Sequence, residues 1–249
     1  MRKKTGKIVL TVRDIELLHF LFKYKLGSVK QINQFCYPTS AERCLRKRLG
    51  KLENIQLIER NSFVLDKKAQ LIYQVTKKGM DKLKEMKGIE VHRNQLKSNS
   101  KGHDMFLAYI GETIKQSRTV TLYWTENELQ CLKGLNDSDS TMDLVKFHSD
   151  GYGLIKRGDL EFNAAIEYEH SQNGEAKYSD LIINYYLCSS TNIVLFFTRH
   201  DWILKFIFNF EEQHYPNAIP KFYIYKMNNE LGLIQNLTFQ NRKGQTLNL

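Results

Sequence analysis

The sequence predicts a two-domain α+β protein, with a basic N-terminal domain over 1–97 and an α/β domain over 101–249. A length of 249 residues, 42% of them hydrophobic, is enough for one large core or two modest ones, and typical domain sizes favour two. Charge divides the chain in the same way. The first 100 residues hold 23 Lys and Arg against 9 Asp and Glu, a net +14, and the remainder holds 14 against 18, a net −4. Clustered cations indicate a module that binds a polyanion.

Composition also excludes several classes. No apolar run of signal-peptide length follows the basic start, and no 18 consecutive residues are apolar, so we expect a cytoplasmic protein without membrane insertion. The chain has no GxxxxGK[ST] or HExxH motif, which argues against an NTPase or a zincin. The cysteines form no CxxC pair, and we expect them to be small buried hydrophobes: Cys36, Cys44, Cys131 and Cys188.

Three helices are predicted at the start of the chain. Thr11 with Asp14 is typical of a helix start, and apolar residues at helical spacing continue to about residue 24. Ser28 caps a short second helix that Pro38 terminates. The third helix has an apolar stripe of Leu45, Leu49 and Leu52. Its cations project largely elsewhere: Arg43, Arg46, Lys47 and Lys51.

A hairpin with a basic tip follows. The runs ERNSFVL and AQLIYQVT are β-like and are separated by Asp66, Lys67 and Lys68. Thr76 then caps a helix that contains Met80, Leu83 and Met86.

This order of helix, helix, helix, hairpin and helix over about 8–87 resembles the winged helix-turn-helix superfamily. The stretch TKKGMDKL matches the Thr-x-x-Gly step that commonly leads from the wing into the next helix. The resemblance implies that the third helix enters the major groove through its four cations, and that Lys67 and Lys68 contact phosphates or the minor groove. The alternative is a winged helix used for protein contacts. The polar segment HRNQLKSNSKG is the predicted linker.

The second half alternates helix and strand patterns. A helix from His103, the strand TVTLYW and the acidic loop NDSDSTMD lead to two strand-like runs joined by a tight turn at 156–159. The helix EAKYSDLIINYYLC, the buried-strand run NIVLFFT and a helix capped by Asp201 follow.

Three carboxylates belong to the two strand-like runs. Asp150 opens the first run, and the second ends in Glu167 and Glu169, which face the same way because strand side chains alternate. An antiparallel partner can bring Asp150 beside them. Three carboxylates on one sheet face repel unless a cation binds, and oxygen ligands of this kind suit Mg²⁺ or Mn²⁺.

This half resembles the restriction-endonuclease-like, or PD-(D/E)xK, superfamily. Asp150 matches the Asp of the PD pair, with Ser149 in place of proline, and Glu167 and Glu169 match an ExE departure in which the lysine position is acidic. Lys177 on the next helix is the candidate substitute. Together the two halves resemble the plasmid replication-relaxation proteins and, most closely, the MobC-type conjugative relaxases.

The resemblance implies a metal-dependent nuclease that nicks one strand at a plasmid transfer or replication origin. It assigns catalysis to Asp150, Glu167, Glu169 and Lys177, with the three carboxylates as metal ligands. The implied partners are double-stranded plasmid DNA, accessory relaxosome and coupling proteins, and a second copy of the chain. No two histidines lie two residues apart, which disfavours the histidine-cradle relaxases.

Alternatives remain open. The rival function is a transcription or replication regulator in which a catalytically inactive α/β domain serves for dimerisation. Glu167 and Glu169 could also be solvated carboxylates of an exposed strand edge. The remaining candidates are more typical of structural side chains: His103, His170, His200, Tyr178, Tyr185 and Tyr186. For the chemistry itself, attack by water is favoured over transesterification by Tyr178.

Overall fold

The computed structural model describes residues 8–65, 67–87, 97–131, 139–171, 173–227, 232, 234 and 236–249. The chain forms two compact units, Met1–Ala108 and Tyr109–Leu249. Both helices and strands are abundant, so the predicted mixed α+β class is confirmed. Of the predicted linker, 92–102, residues 92–96 lie outside the described residues, and Lys101 and Gly102 already belong to a helix.

The elements of the first unit follow the order expected from the sequence. Its helices are α1 (Val12–Lys23), α2 (Val29–Cys36), α3 (Glu42–Asn54) and α4 (Lys77–Lys87), followed by the start of α5 (Lys101–Ile114). Its strands are β1 (Gly27–Ser28), β2 (Ile58–Leu65) and β3 (Lys68–Val75). They form an antiparallel sheet of order β1-β3-β2. Lys68, predicted to lie in the connection between the strands, is the first residue of β3, immediately after the hairpin turn.

The predicted helix starts of α1 and α2 are confirmed. Thr11 and Asp14 form a capping box in which each side chain bonds the backbone N–H of the other, and Ser28 and Gln31 form the same motif. These caps satisfy amides that the first turn of a helix leaves without partners.

The Thr-x-x-Gly step after the hairpin has a steric cause. Thr76 Oγ1 accepts a hydrogen bond of 3.0 Å from Gly79 N and donates one of 2.6 Å to Gln56 O, which ties the start of α4 to the turn before β2. A Cβ on Gly79 would lie 2.0 Å from Leu57 O. Only glycine allows α4 to pass the backbone this closely.

A buried carboxylate connects the first three helices. The side chain of Asp14 is 0% exposed, and its Oδ1 accepts hydrogen bonds of 2.7 Å from Tyr37 Oη and 2.8 Å from Arg48 Nε. Oδ2 accepts one of 2.6 Å from Thr11 N and is also paired with Arg48 Nη2. Because Tyr37 follows α2 and Arg48 lies on α3, this network fixes the orientation of α3.

The second unit is built on a seven-stranded sheet. Its strands are β4 (Val120–Thr125), β5 (Gly151–Arg157), β6 (Leu160–Glu169), β7 (Ile193–Thr198), β8 (Phe222–Lys226), β9 (Thr238–Gln240) and β10 (Thr246–Asn248). The order is β10-β9-β8-β7-β6-β5-β4, with β6, β7 and β8 parallel and the other pairs antiparallel. Between the strands lie α6 (Glu126–Cys131), α7 (Asp139–Phe147), α8 (Glu175–Leu187) and α9 (Asp201–His214).

The core of the second unit lies between the sheet and α8 and α9. Ala165, Val194 and Phe196 of the sheet pack with Tyr178, Ile182 and Tyr185 of α8 and with Ile203 and Ile207 of α9. No described helix has both the length and the apolar composition needed to cross a bilayer.

Three local expectations are wrong. Asp201 is the first helical residue of α9, and His200 is the N-cap, without a side-chain cap bond. The predicted acidic loop over 136–143 is helical from Asp139, and 132–138 lie outside the described residues. All four cysteines are free, but Cys44 is exposed and Cys131 is half-buried. Cys44 is exposed because Leu45, Leu49 and Leu52 occupy the side of α3 that faces the core.

The Asp14 network predicts a defined acid sensitivity. Burial alone would raise the pKa of Asp14, but the hydrogen bonds from Arg48, Thr11 and Tyr37 outweigh it and lower the pKa to about 2. A lowered folded-state pKa stabilises the fold above the unfolded value, near 3.8, and this stability is lost as the pH falls toward 2. We expect Asp14→Asn to cost about 3 kcal/mol at pH 6, because Arg48 loses its buried partner.

Urea unfolding of the wild type, Asp14→Asn and Glu16→Gln at pH 6 and pH 2 measures this contribution. The wild type and the exposed Glu16→Gln control should lose about 2 kcal/mol more than Asp14→Asn over this interval. An equal loss in all three proteins would contradict the assignment of acid sensitivity to Asp14.

Candidate nucleic-acid interface and carboxylate site

Helix α3 has one buried and one cationic side. Leu45, Leu49 and Leu52 are at most 1% exposed and pack into the first unit. The cations predicted to contact DNA are exposed: Arg43, Arg46, Lys47 and Lys51. Arg46 pairs with Glu42 one turn away at 2.6 Å, whereas the other three make no ion pair with any described residue. An exposed pair of this kind is weak, so all four side chains are available to a polyanion.

The tip of the β2–β3 hairpin also carries exposed cations. Leu65 pairs with Lys68 in the antiparallel register, and both Lys67 and Lys68 are exposed. Lys67 has a φ of 64°, in the left-handed region that two-residue hairpin turns require. The backbone thus holds two adjacent exposed lysines where the β2–β3 hairpin turns. Asp66 lies outside the described residues.

Asp150 lies immediately before β5 and beside the end of β6. Gly151 pairs with Ile166 in the antiparallel register, and Asp150 Oδ2 accepts a hydrogen bond of 2.8 Å from Tyr168 N. Its carbonyl oxygen accepts from Glu126 N at 3.0 Å. The preceding Ser149 is fully buried and donates to the carbonyls of Gly151 and Ile166, so it ties the two strands together at this point.

Glu167 is held by a buried tyrosine. Tyr185 of α8 is 0% exposed and its hydroxyl donates to Glu167 Oε1. Burial raises the pKa of Tyr185 well above its usual value, and the negative charges of Glu167 and Asp150 raise it further. The hydroxyl therefore stays protonated and acts as a fixed donor beside two of the predicted carboxylates.

Both carboxylate oxygens of Glu169 accept hydrogen bonds. Its Oε1 accepts from Ser171 N at 3.1 Å and from Ser171 Oγ at 3.2 Å. Its Oε2 accepts from Asn173 Nδ2 at 2.8 Å and from Lys177 Nζ at 3.2 Å. Lys177, on the first turn of α8, therefore contacts Glu169.

The three carboxylates do not converge on a common point. No group of three or more His, Cys, Asp or Glu side chains among the described residues is arranged to hold a metal ion. Glu167 and Glu169 both face α8, but they bond different donors of it, Tyr185 and Lys177. Carboxylate oxygens are ligands that Mg²⁺ and Mn²⁺ prefer. In this arrangement, however, the three carboxylates are not placed so that one ion could bind all of them.

The other candidate side chains take structural positions. Tyr178 is buried against Trp202 and Phe206 of α9, and Tyr186 donates to Glu211 at 2.6 Å and stacks on Tyr215. His170 Nδ1 lies 3.0 Å from Tyr168 Oη, and His200 Nε2 lies 3.3 Å from His170 O. His103 Nδ1 lies 3.4 Å from the buried Asp104 in the first unit. These contacts account for the side chains as packing and hydrogen-bonding residues.

Tyr185 is a site residue whose role the sequence did not reveal. Its helical spacing from Tyr178 and Ile182 predicts a core position, which the structure confirms. The same spacing gives no indication that its hydroxyl reaches Glu167 on a neighbouring strand, because that contact depends on how α8 lies on the sheet.

Comparison with known proteins gives little further information. No protein-family model matches the chain, and no curated protein matches it. Among solved structures the chain is similar to diamide-treated YodB from B. subtilis, at 19% identity over 32% of this chain and 92% of that chain, with a TM-score of 0.22. A similarity at this level carries no argument about fold or function.

Proposed function

We propose that this chain is a cytoplasmic DNA-binding protein whose first unit is a winged helix-turn-helix domain. In this proposal α3 enters the major groove and the β2–β3 hairpin is the wing. The supporting observation is the two-sided character of α3, with leucines buried and Arg43, Arg46, Lys47 and Lys51 exposed on a helix that Arg48 anchors to Asp14.

Charge supports the same proposal. The net +14 of the first 100 residues is far from the −4 of the remainder, so the attraction to phosphate is concentrated in one unit. Lys67 and Lys68 extend the cationic surface to the hairpin tip. Binding through such clusters releases counterions and weakens steeply with salt.

Charge reversal on α3 tests this proposal. Arg43→Glu, Arg46→Glu and Lys47→Glu combined should weaken duplex DNA binding by roughly 100-fold and flatten its salt dependence, because these cations contact phosphates and bases. The control is Lys77→Glu, Lys78→Glu and Lys87→Glu on α4, which changes the net charge equally on another helix. Gel-shift titrations at several salt concentrations give both affinities, and circular dichroism checks that both variants are folded.

A small loss with the α4 control and a large loss with the α3 variant is the expected pattern. Equal losses would mean that binding follows net charge alone, and α3 would not be the recognition element. Exposed Cys44, on α3, gives a second readout, since bound DNA should slow its alkylation.

A second candidate function is nicking of plasmid DNA at a transfer or replication origin. It is favoured by the position of Asp150 beside the end of the strand that carries Glu167 and Glu169, and by the contact between Lys177 and Glu169. These are the residues that the resemblance to restriction-endonuclease-like proteins and MobC-type relaxases assigns to the metal and to catalysis. Relaxosome and coupling proteins and a second copy of the chain are the partners that this candidate implies.

Nicking requires a rearrangement of the carboxylates. Glu167 would have to release Tyr185, and Glu169 would have to release at least one of Lys177, Asn173 and Ser171, before the three could share a Mg²⁺ or Mn²⁺ ion. If the carboxylates do not rearrange in this way, the second unit is a catalytically inactive domain of a DNA-binding regulator.

Conversion of supercoiled plasmid carrying the cognate origin to the open circular form tests the second candidate. With Mn²⁺ present we expect the wild type to nick, and Glu167→Ala or Glu169→Ala to lose about 100-fold or more while DNA binding is retained. Glu161→Ala is the matched control, because Glu161 is exposed on the same strand away from the site. Equal nicking by all four proteins, or none by the wild type, would leave the regulator as the function.

A further inference from the structure

A cavity of about 590 Å³ lies between the start of α1, the turn after α2 and the first half of α3. Its lining includes Val12, Arg13, Tyr37, Ser40, Cys44 and Arg48. The volume falls within the range of protein sites for small molecules. All of these residues belong to the first unit.

Part of the cavity wall is apolar. Val12 is 75% exposed although it is a large hydrophobic residue, and Leu45 and Tyr37 also line the cavity. Burying such apolar surface against a ligand is favourable. The wall therefore suits a planar or branched hydrocarbon body.

The charged part of the lining is cationic. Arg13 is exposed and forms no hydrogen bond or ion pair with a described residue. Arg48 uses Nε and Nη2 on Asp14 and Val9 O, which leaves Nη1 without a partner in the described part of the chain. No Asp or Glu is among the lining residues, and Asp14 is already saturated by donors. The cavity therefore complements a negative charge.

We propose that this cavity binds a small organic anion, such as an aromatic carboxylate. The apolar body lies against Val12, Leu45 and Tyr37, and the anionic group binds Arg13 and the remaining N–H groups of Arg48. Because α3 forms one wall, the bound anion adds negative charge next to the cations that face DNA. Occupancy therefore lowers DNA affinity, a consequence that rests on the proposed function.

Titration of the full chain with 1-naphthoate, without DNA, tests the site directly. Isothermal calorimetry should give saturable binding that Arg13→Gln weakens about tenfold, because a charge-assisted hydrogen bond is lost. Lys47→Gln is the matched control, since it removes one exposed cation of α3 that does not line the cavity. The uncharged 1-naphthalenemethanol should bind more weakly than 1-naphthoate, as should sulfate, which has no apolar body.

Alkylation of Cys44 locates the ligand, since 1-naphthoate in the cavity should slow the reaction of this thiol with iodoacetamide. Absence of saturable binding, equal weakening by Arg13→Gln and Lys47→Gln, or unchanged alkylation would overturn the proposal. So would an Arg13→Gln variant that loses DNA affinity but keeps its naphthoate affinity, because the cavity would then belong to the DNA interface. Failure of DNA binding in the gel shift leaves the naphthoate titration unaffected, so the two proposals fail separately.

Discussion

The double burial of strand β6 is the constraint on which the second unit depends. It lies between antiparallel β5 and parallel β7, and Ala164, Ala165 and Ile166 are 0% exposed. A strand covered on both faces accommodates only small or apolar side chains along this stretch. Charged residues can therefore appear only where the strand leaves the core, and Glu167 and Glu169 occur at that point, facing the helix that covers the sheet.

In the first unit, burial determines where the positive charge lies. The leucine stripe of α3 must face the core, and Asp14 fixes its rotation by binding Arg48 on the same helix. The other cations of α3, Arg43, Arg46, Lys47 and Lys51, then lie on the solvent side. A basic surface results from helical periodicity together with one buried ion pair.

Local signals in the sequence anticipated much of this architecture. The caps at Thr11 and Ser28 and the long periodic runs predicted α1, α2, α3 and α8, and the alternating runs predicted β5 and β6. The short elements α6, β9 and β10 have too few residues for a period to be visible, and α7 begins in the acidic, serine-rich stretch that was predicted to be a loop. Proximity of Asp150 to the end of β6 followed from antiparallel pairing. The bonds of Glu167 with Tyr185 and of Glu169 with Asn173 and Lys177 depend on the packing of α8 and carry no sequence pattern.

The two candidate surfaces differ in what a ligand must displace. The exposed cations of α3 need to lose only water, counterions and, for Arg46, one exposed ion pair. The carboxylates at the end of β6 must exchange several hydrogen bonds with protein donors, each worth about 1 kcal/mol net and more where the partner is charged. A metal ion could therefore bind there only together with a movement of Glu167 away from Tyr185, or of Glu169 away from Ser171, Asn173 or Lys177. The proposed DNA binding has no such requirement, so it does not depend on whether the carboxylates assemble.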